Sequence, residues 1–107
     1  MKIYHLKTCD TCRKALKTLE GQGVERVDIR EDGVPEAVLA RWLEMLGPDV
    51  LVNKRSTTWR TLSESERAAA PLALLLQHPT LLKRPVIETG NEVLVGWSAQ
   101  TRETLGL

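Results

Sequence analysis

The sequence has two cysteines, two histidines and no phenylalanine, and each scarcity closes a class of function. Two thiols cannot build a four-cysteine zinc site within one chain, and His5 and His78 stand at no familiar ligand spacing, so no metal centre is expected. Nothing approaches the roughly 20 apolar residues of a membrane span, and the N-terminus lacks the charged-then-apolar pattern of a secretory signal. A cytoplasmic protein without membrane association is therefore expected, and in that compartment a free dithiol is the resting state. Fifteen basic against fourteen acidic residues leave a net charge of +1. That is no electrostatic footprint for nucleic acid, and there is no row of aromatics on which bases could stack. Internal repeats, linkers and low-complexity segments are also absent. At 107 residues and 42% hydrophobic content, one domain can bury a core without disulfide staples, so the cysteines are not needed to hold it together.

What is present is the stretch Thr8-Cys9-Asp10-Thr11-Cys12-Arg13-Lys14, between the apolar run Ile3 to Leu6 and a helical pattern. A helix that begins at or just after Cys9 places both sulfurs on one face of its first turn. Unpaired backbone N–H groups and the positive end of the helix dipole favour a thiolate there, which is how a cysteine pKa falls from about 8.5 toward neutrality. Arg13 and Lys14 add positive charge, so the same turn suits an oxyanion or a carboxylate; Asp10 opposes both effects. The pair alone fits redox or nucleophilic thiol chemistry, half of a zinc site, or two inert packed thiols.

Along the chain, Lys2 to Leu6 reads as a short strand. A helix from about Thr11 to Glu20, with Ala15, Leu16 and Leu19 as its apolar stripe, stops at Gly21 and Gly23. Val24, Val27 and Ile29 suggest a second strand, so the first thirty residues read as a βαβ unit with parallel strands. After the Asp32-Gly33 turn, Pro35 suits the first position of a helix whose face is Val38, Leu39, Trp42, Leu43 and Leu46, ended by Gly47-Pro48. Trp42 is read as core. Residues 53–60 read as a polar, basic loop without a helical stripe. Ser63 with Glu66 forms a capping-box pattern for a helix through Ala70, and Pro71 begins another to about Gln77. This central third has no convincing strand. From Pro85 the period becomes two, through Val86 to Thr89, a Gly90-Asn91 turn and Glu92 to Val95, a hairpin; Ser98 then caps a helix from Ala99 to Leu105.

These residues resemble the arsenate reductase/Spx family of thioredoxin-like proteins, most closely its YffB branch of thiol reductases, over nearly the whole chain. The resemblance rests on Ile3-Tyr4-His5 leading to Thr8 through Ala15, on Val52 through Arg60, and on His78 through Val86. It implies an α/β fold, a thioredoxin-like mixed four-stranded sheet with a helical insertion after the second strand, at about 34–82 within a single domain of 1–107. It implies that Cys9 is the nucleophile and that His5 helps to keep its thiol ionised. It further implies that Arg55 in the insertion loop and Arg84, just before a cis-proline at Pro85, flank the thiol and bind an anion. Thr11 and Arg13 complete the candidate substrate-binding set, and Cys12 joins Cys9 and His5 as a catalytic candidate. By residue type alone, His5 reads equally as a half-buried strand residue, and Arg55 and Arg84 as solvated charges.

Two departures shape the expected activity. The arsenate reductases carry a further arginine beyond the hairpin turn, whereas here the segment reads Glu92-Val93-Leu94-Val95-Gly96-Trp97, which argues against arsenate. The reductases also lack a cysteine three positions after the nucleophile, so Cys12 opens the way to an internal disulfide. The activity implied is that of a glutathione-dependent thiol reductase with no bound cofactor. The resemblance implies glutathione as co-substrate or as part of a conjugate and makes a glutaredoxin a further candidate partner, and the oligomeric state is left open. The alternatives are an Spx-like redox-sensing regulator that binds RNA polymerase and a true arsenate reductase.

Overall fold

Strand β1, Lys2–His5, buries Ile3 and Tyr4 and is the centre from which the sheet grows. In the computed structural model, which describes residues 1–107, the chain divides into a unit formed by 1–32 with 84–107 and a second unit of 33–83. In the first unit, β2 (Glu25–Asp28) pairs parallel to β1, β3 (Val86–Glu88) pairs antiparallel to β1, and β4 (Val93–Val95) pairs antiparallel to β3. The sheet order is β2-β1-β3-β4, the mixed four-stranded sheet expected. A parallel β1–β2 pair needs a crossover, supplied by α1 (Asp10–Thr18). Ile3, Ala15, Leu19 and Ile87 form the buried cluster, with Leu16, Leu94, Trp97 and Leu105 packed against it. The helical stripe read from the sequence is thus the face that covers the sheet. The helix itself begins at Asp10 and stops at Thr18, ahead of the expected Glu20, with Leu19 as its C-cap. Helix α7 (Ala99–Thr104) starts where the Ser98 hydroxyl accepts the Thr101 N–H at 3.2 Å.

The second unit is helical: α2 (Glu36–Leu46), α3 (Pro48–Leu51), α4 (Thr57–Thr61), α5 (Glu64–Arg67), α6 (Pro71–Gln77) and a 3-10 turn at Pro79–Leu81. Leu39 and Trp42 are the buried face of α2. Pro35 stands at the N-cap of α2 rather than its first position, because its ψ of 142° is extended. The Ser63/Glu66 capping box closes with both bonds in place, but the helix ends at Arg67 instead of Ala70 and buries nothing. Within the loop expected at 53–60, α4 is a one-turn helix held by its cap, the Ser56 hydroxyl accepting the Trp59 N–H at 3.2 Å. It has no apolar stripe because none of its residues is buried, so periodicity could not reveal it. One bridge, Val52↔Leu82, fastens segments 51–53 and 81–83. No helix is long and apolar enough to cross a membrane.

Candidate active site

Cys9 leaves the end of β1 through a tight turn in which its N–H donates to the Leu6 carbonyl at 3.0 Å. It is the N-cap of α1, with extended backbone (φ −91°, ψ 116°), and its carbonyl accepts the Arg13 N–H at 3.0 Å. The sulfur is half-buried at the start of the helix, whereas Cys12, on the third helical position, is fully buried; both are free thiols.

That difference in position gives two different acids. Burial opposes ionisation of Cys9, but the Cys12 amide and thiol and the Arg84 guanidinium outweigh it, and the thiol is held below its ordinary value. No complete cap hydrogen bond closes onto the Cys9 side chain, so the stabilisation is shared among these groups. Burial, reinforced by the adjoining Cys9 sulfur and only partly offset by the Leu6 backbone, pushes the Cys12 thiol up to about 12. The peptide bond between Arg84 and Pro85 is cis, as the resemblance implies.

The remaining candidates are placed differently. His5, 7% exposed, stands beside Asp28, 5% exposed, in the β1–β2 register. Burial lowers its pKa more than the Asp28 carboxylate raises it, so the imidazole is neutral at neutral pH, and its Nδ1 is buried with no hydrogen-bond partner. A neutral ring contributes no positive charge to Cys9, whose support comes from Cys12 and Arg84. Arg13 donates from Nε to the Lys7 carbonyl at 3.1 Å and pairs with Asp10 at 3.4 Å, so its charge is largely spent on the turn itself. Thr11 is exposed on the first turn of α1. Arg55 belongs to the second unit, exposed, its N–H donating to Asn53 Oδ1 at 3.0 Å. No three His, Cys, Asp or Glu side chains come together as a metal site.

Sequence reasoning missed Asp28. Its carboxylate accepts the Arg30 and Glu31 N–H groups at 2.8 and 2.9 Å, and Asp32 Oδ2 accepts the Asp28 N–H at 2.9 Å. The Glu31 amide leads the groups that hold the Asp28 carboxyl below the usual carboxylate range. The signal available was Asp28-x-x-x-Asp32-Gly33 at a strand end, a turn in which aspartates bond their own backbone.

A profile of the ArsC family matches residues 4–105. The chain belongs to the ArsC family. A Haemophilus influenzae protein described only as uncharacterized is 41% identical over 102 residues, 90% of either chain. Among solved structures, the protein YffB matches this ArsC-family chain with a TM-score of 0.88 at 30% identity, covering 96% of both. An arsenate reductase (ArsC) related protein from Brucella melitensis gives 0.74 at 34% identity, covering 96% of this chain and 91% of its own. The chain therefore stands with the YffB branch of the ArsC family and has the arsenate-reductase-like thiol reductase fold.

Proposed function

We propose that the chain is a thiol–disulfide reductase that acts on glutathione mixed disulfides through Cys9. The observation that carries this reading is the inequality of the two thiols: a half-buried, acidified Cys9 at a helix N-terminus beside a fully buried Cys12 whose pKa is pushed up to about 12. The thiolate is the nucleophile in disulfide exchange. It attacks the glutathione sulfur of a mixed disulfide, the Cys9–sulfur bond forms as the disulfide breaks, and the substrate leaves as a thiolate that takes a proton from water. A second glutathione thiolate attacks the Cys9 adduct, so that oxidised glutathione departs and the Cys9 thiolate returns; the incoming glutathione is the reductant, its sulfur passing from thiolate to disulfide as the substrate sulfur passes from disulfide to thiol, while the first glutathione sulfur stays at the disulfide level throughout. Arg84 favours the Cys9 thiolate in the resting enzyme and can hold a glutathione carboxylate by a charge-assisted bond once the adduct has formed. Cys12 is fully buried and, in the resting protein, burial pushes its thiol up to about 12, which supports glutathione from solution rather than Cys12 as the thiol that resolves the adduct.

The test is glutathione-dependent reduction of a mixed disulfide between glutathione and a cysteine peptide, followed as oxidised glutathione formed. Turnover by the wild-type protein no faster than by Cys9→Ser rejects the proposal.

A further inference from the structure

Arg13 directly follows the thiol pair, and its exposed side chain reaches back over the turn that delivers the nucleophile. That turn runs Leu6-Lys7-Thr8-Cys9 and is closed by the Cys9 N–H on the Leu6 carbonyl at 3.0 Å. The Lys7 carbonyl belongs to the central peptide of the turn, which the closing bond does not touch. There the Arg13 Nε–H donates at 3.1 Å, while the Arg13 backbone N–H donates to the Cys9 carbonyl at 3.0 Å. One residue thus holds the chain at two points, two residues before the nucleophile and at the nucleophile itself. The Lys7 side chain is held separately, its Nζ 3.0 Å from both Glu31 carboxylate oxygens. At the far end of the guanidinium, Arg13 Nη2 pairs with Asp10 Oδ1 at 3.4 Å. A guanidinium grips a carboxylate or an oxyanion with two parallel N–H groups, and each of its two-pronged edges here has one member engaged within the turn.

We infer that Arg13 is a positioning residue: its Nε–H on the Lys7 carbonyl fixes the turn that carries Cys9, and its guanidinium does not grip substrate. The inference rests on the reading of Cys9 as the nucleophile. What matters is a donor at the Nε position of the side chain rather than a cation. The groups that acidify Cys9 are the Cys12 amide and thiol and the Arg84 guanidinium, and how well they reach the sulfur depends on where the turn holds it. A looser turn therefore lowers the thiolate fraction at neutral pH and leaves the reactivity of the fully ionised thiol unchanged.

The test is alkylation of Cys9 by iodoacetamide in the full chain, followed by mass spectrometry against pH, which needs no glutathione chemistry. Arg13→Met removes donor and charge at similar length. It should slow alkylation at pH 7 by about threefold to tenfold, the worth of one hydrogen bond, and converge with wild type by about pH 10, above the ordinary thiol value of about 8.5. Arg13→Gln removes the charge but puts its Nε2 donor at the same point along the side chain as the arginine Nε, and should recover most of the wild-type rate. Glu31→Gln loosens only an exposed pair at the Lys7 side chain and should change the rate less than about twofold. Equal slowing in Arg13→Gln and Arg13→Met would make Arg13 an electrostatic or anion-binding group and overturn the assignment. So would no slowing in Arg13→Met, slowing that persists at pH 10, or slowing by Glu31→Gln as large as that by Arg13→Met. A protein whose variants follow the expected pattern, yet which turns over no mixed disulfide, removes the reductase reading and leaves the positioning role standing.

Discussion

Cys9 and Cys12 carry the same side chain, and three positions along one helix turn them into different acids. The N-cap sulfur sits where backbone N–H groups are unpaired, and the third-position sulfur is closed off by the fold. Iodoacetamide alkylation followed against pH should therefore place the Cys9 pKa below the ordinary thiol value in the Cys12→Ser protein, where a hydroxyl still donates. Cys12→Ala, which retains only the backbone N–H, should raise it. Glutathione-supported turnover should survive Cys12→Ser and vanish in Cys9→Ser; equal loss in both would make Cys12 a resolving thiol. The same inequality predicts a stability effect. A thiol whose folded pKa is raised from 9.0 to about 12 binds its proton more tightly in the folded state, so the folded protein loses stability as pH rises from about 9 to about 12. Cys9, with its pKa lowered, has the opposite sign, and its contribution is already complete above pH 9. Urea midpoints at pH 8, 9.5 and 11 should thus fall more steeply for wild type than for Cys12→Ser. The thiol pair and its helix were legible in the sequence because every term involved is local. The pairing of His5 with Asp28 was not, since it depends on the register of two strands whose partner residues are 23 positions apart.

At the level of elements, local signals decided what could be read. The Ser63/Glu66 box, the Ser98 cap, the Pro71 helix start and the hairpin around Gly90-Asn91 each use a few neighbouring residues, and each appears in the fold. What periodicity carries was also legible: the α1 and α2 stripes bury Ala15, Leu19, Leu39 and Trp42. A one-turn helix such as α4 has no room for a stripe, and the isolated Val52↔Leu82 bridge is too short for an alternation. Trp42 is fully buried on α2, so Trp42→Ala should destabilise the protein by about 3–5 kcal/mol. Ser63→Ala removes only a cap on a four-residue exposed helix and should cost about 1 kcal/mol or less. Urea denaturation separates the two; a Trp42→Ala loss no larger than that of Ser63→Ala would show that α2 does not contribute the core of its unit.

Across the whole molecule, the charge balance is near zero, so selectivity depends on where single cations stand. For an oxyanion at Cys9, the first unit offers the first-turn N–H groups of α1 and Arg84, but β4 and its exit, Val93 to Trp97, carry no cation. One missing charged hydrogen bond costs about 1.5–3 kcal/mol, or about 10- to 150-fold in binding. Arsenate reduction by the wild-type protein should therefore be weak beside the proposed turnover of glutathione mixed disulfides. Gly96 is the place to test the cause, because its N–H donates to the Pro85 carbonyl at 2.8 Å and so fixes the strand exit next to Arg84. A side chain there meets nothing within 4 Å of its Cβ, but φ is +84°, so Gly96→Arg should lower stability by about 1–2 kcal/mol. If the absent cation sets the preference, arsenate affinity measured on the folded variant should rise about tenfold or more despite that loss. Efficient arsenate turnover by the wild-type protein, or no gain in Gly96→Arg, would shift the cause of selectivity away from the hairpin exit and onto the thiol itself.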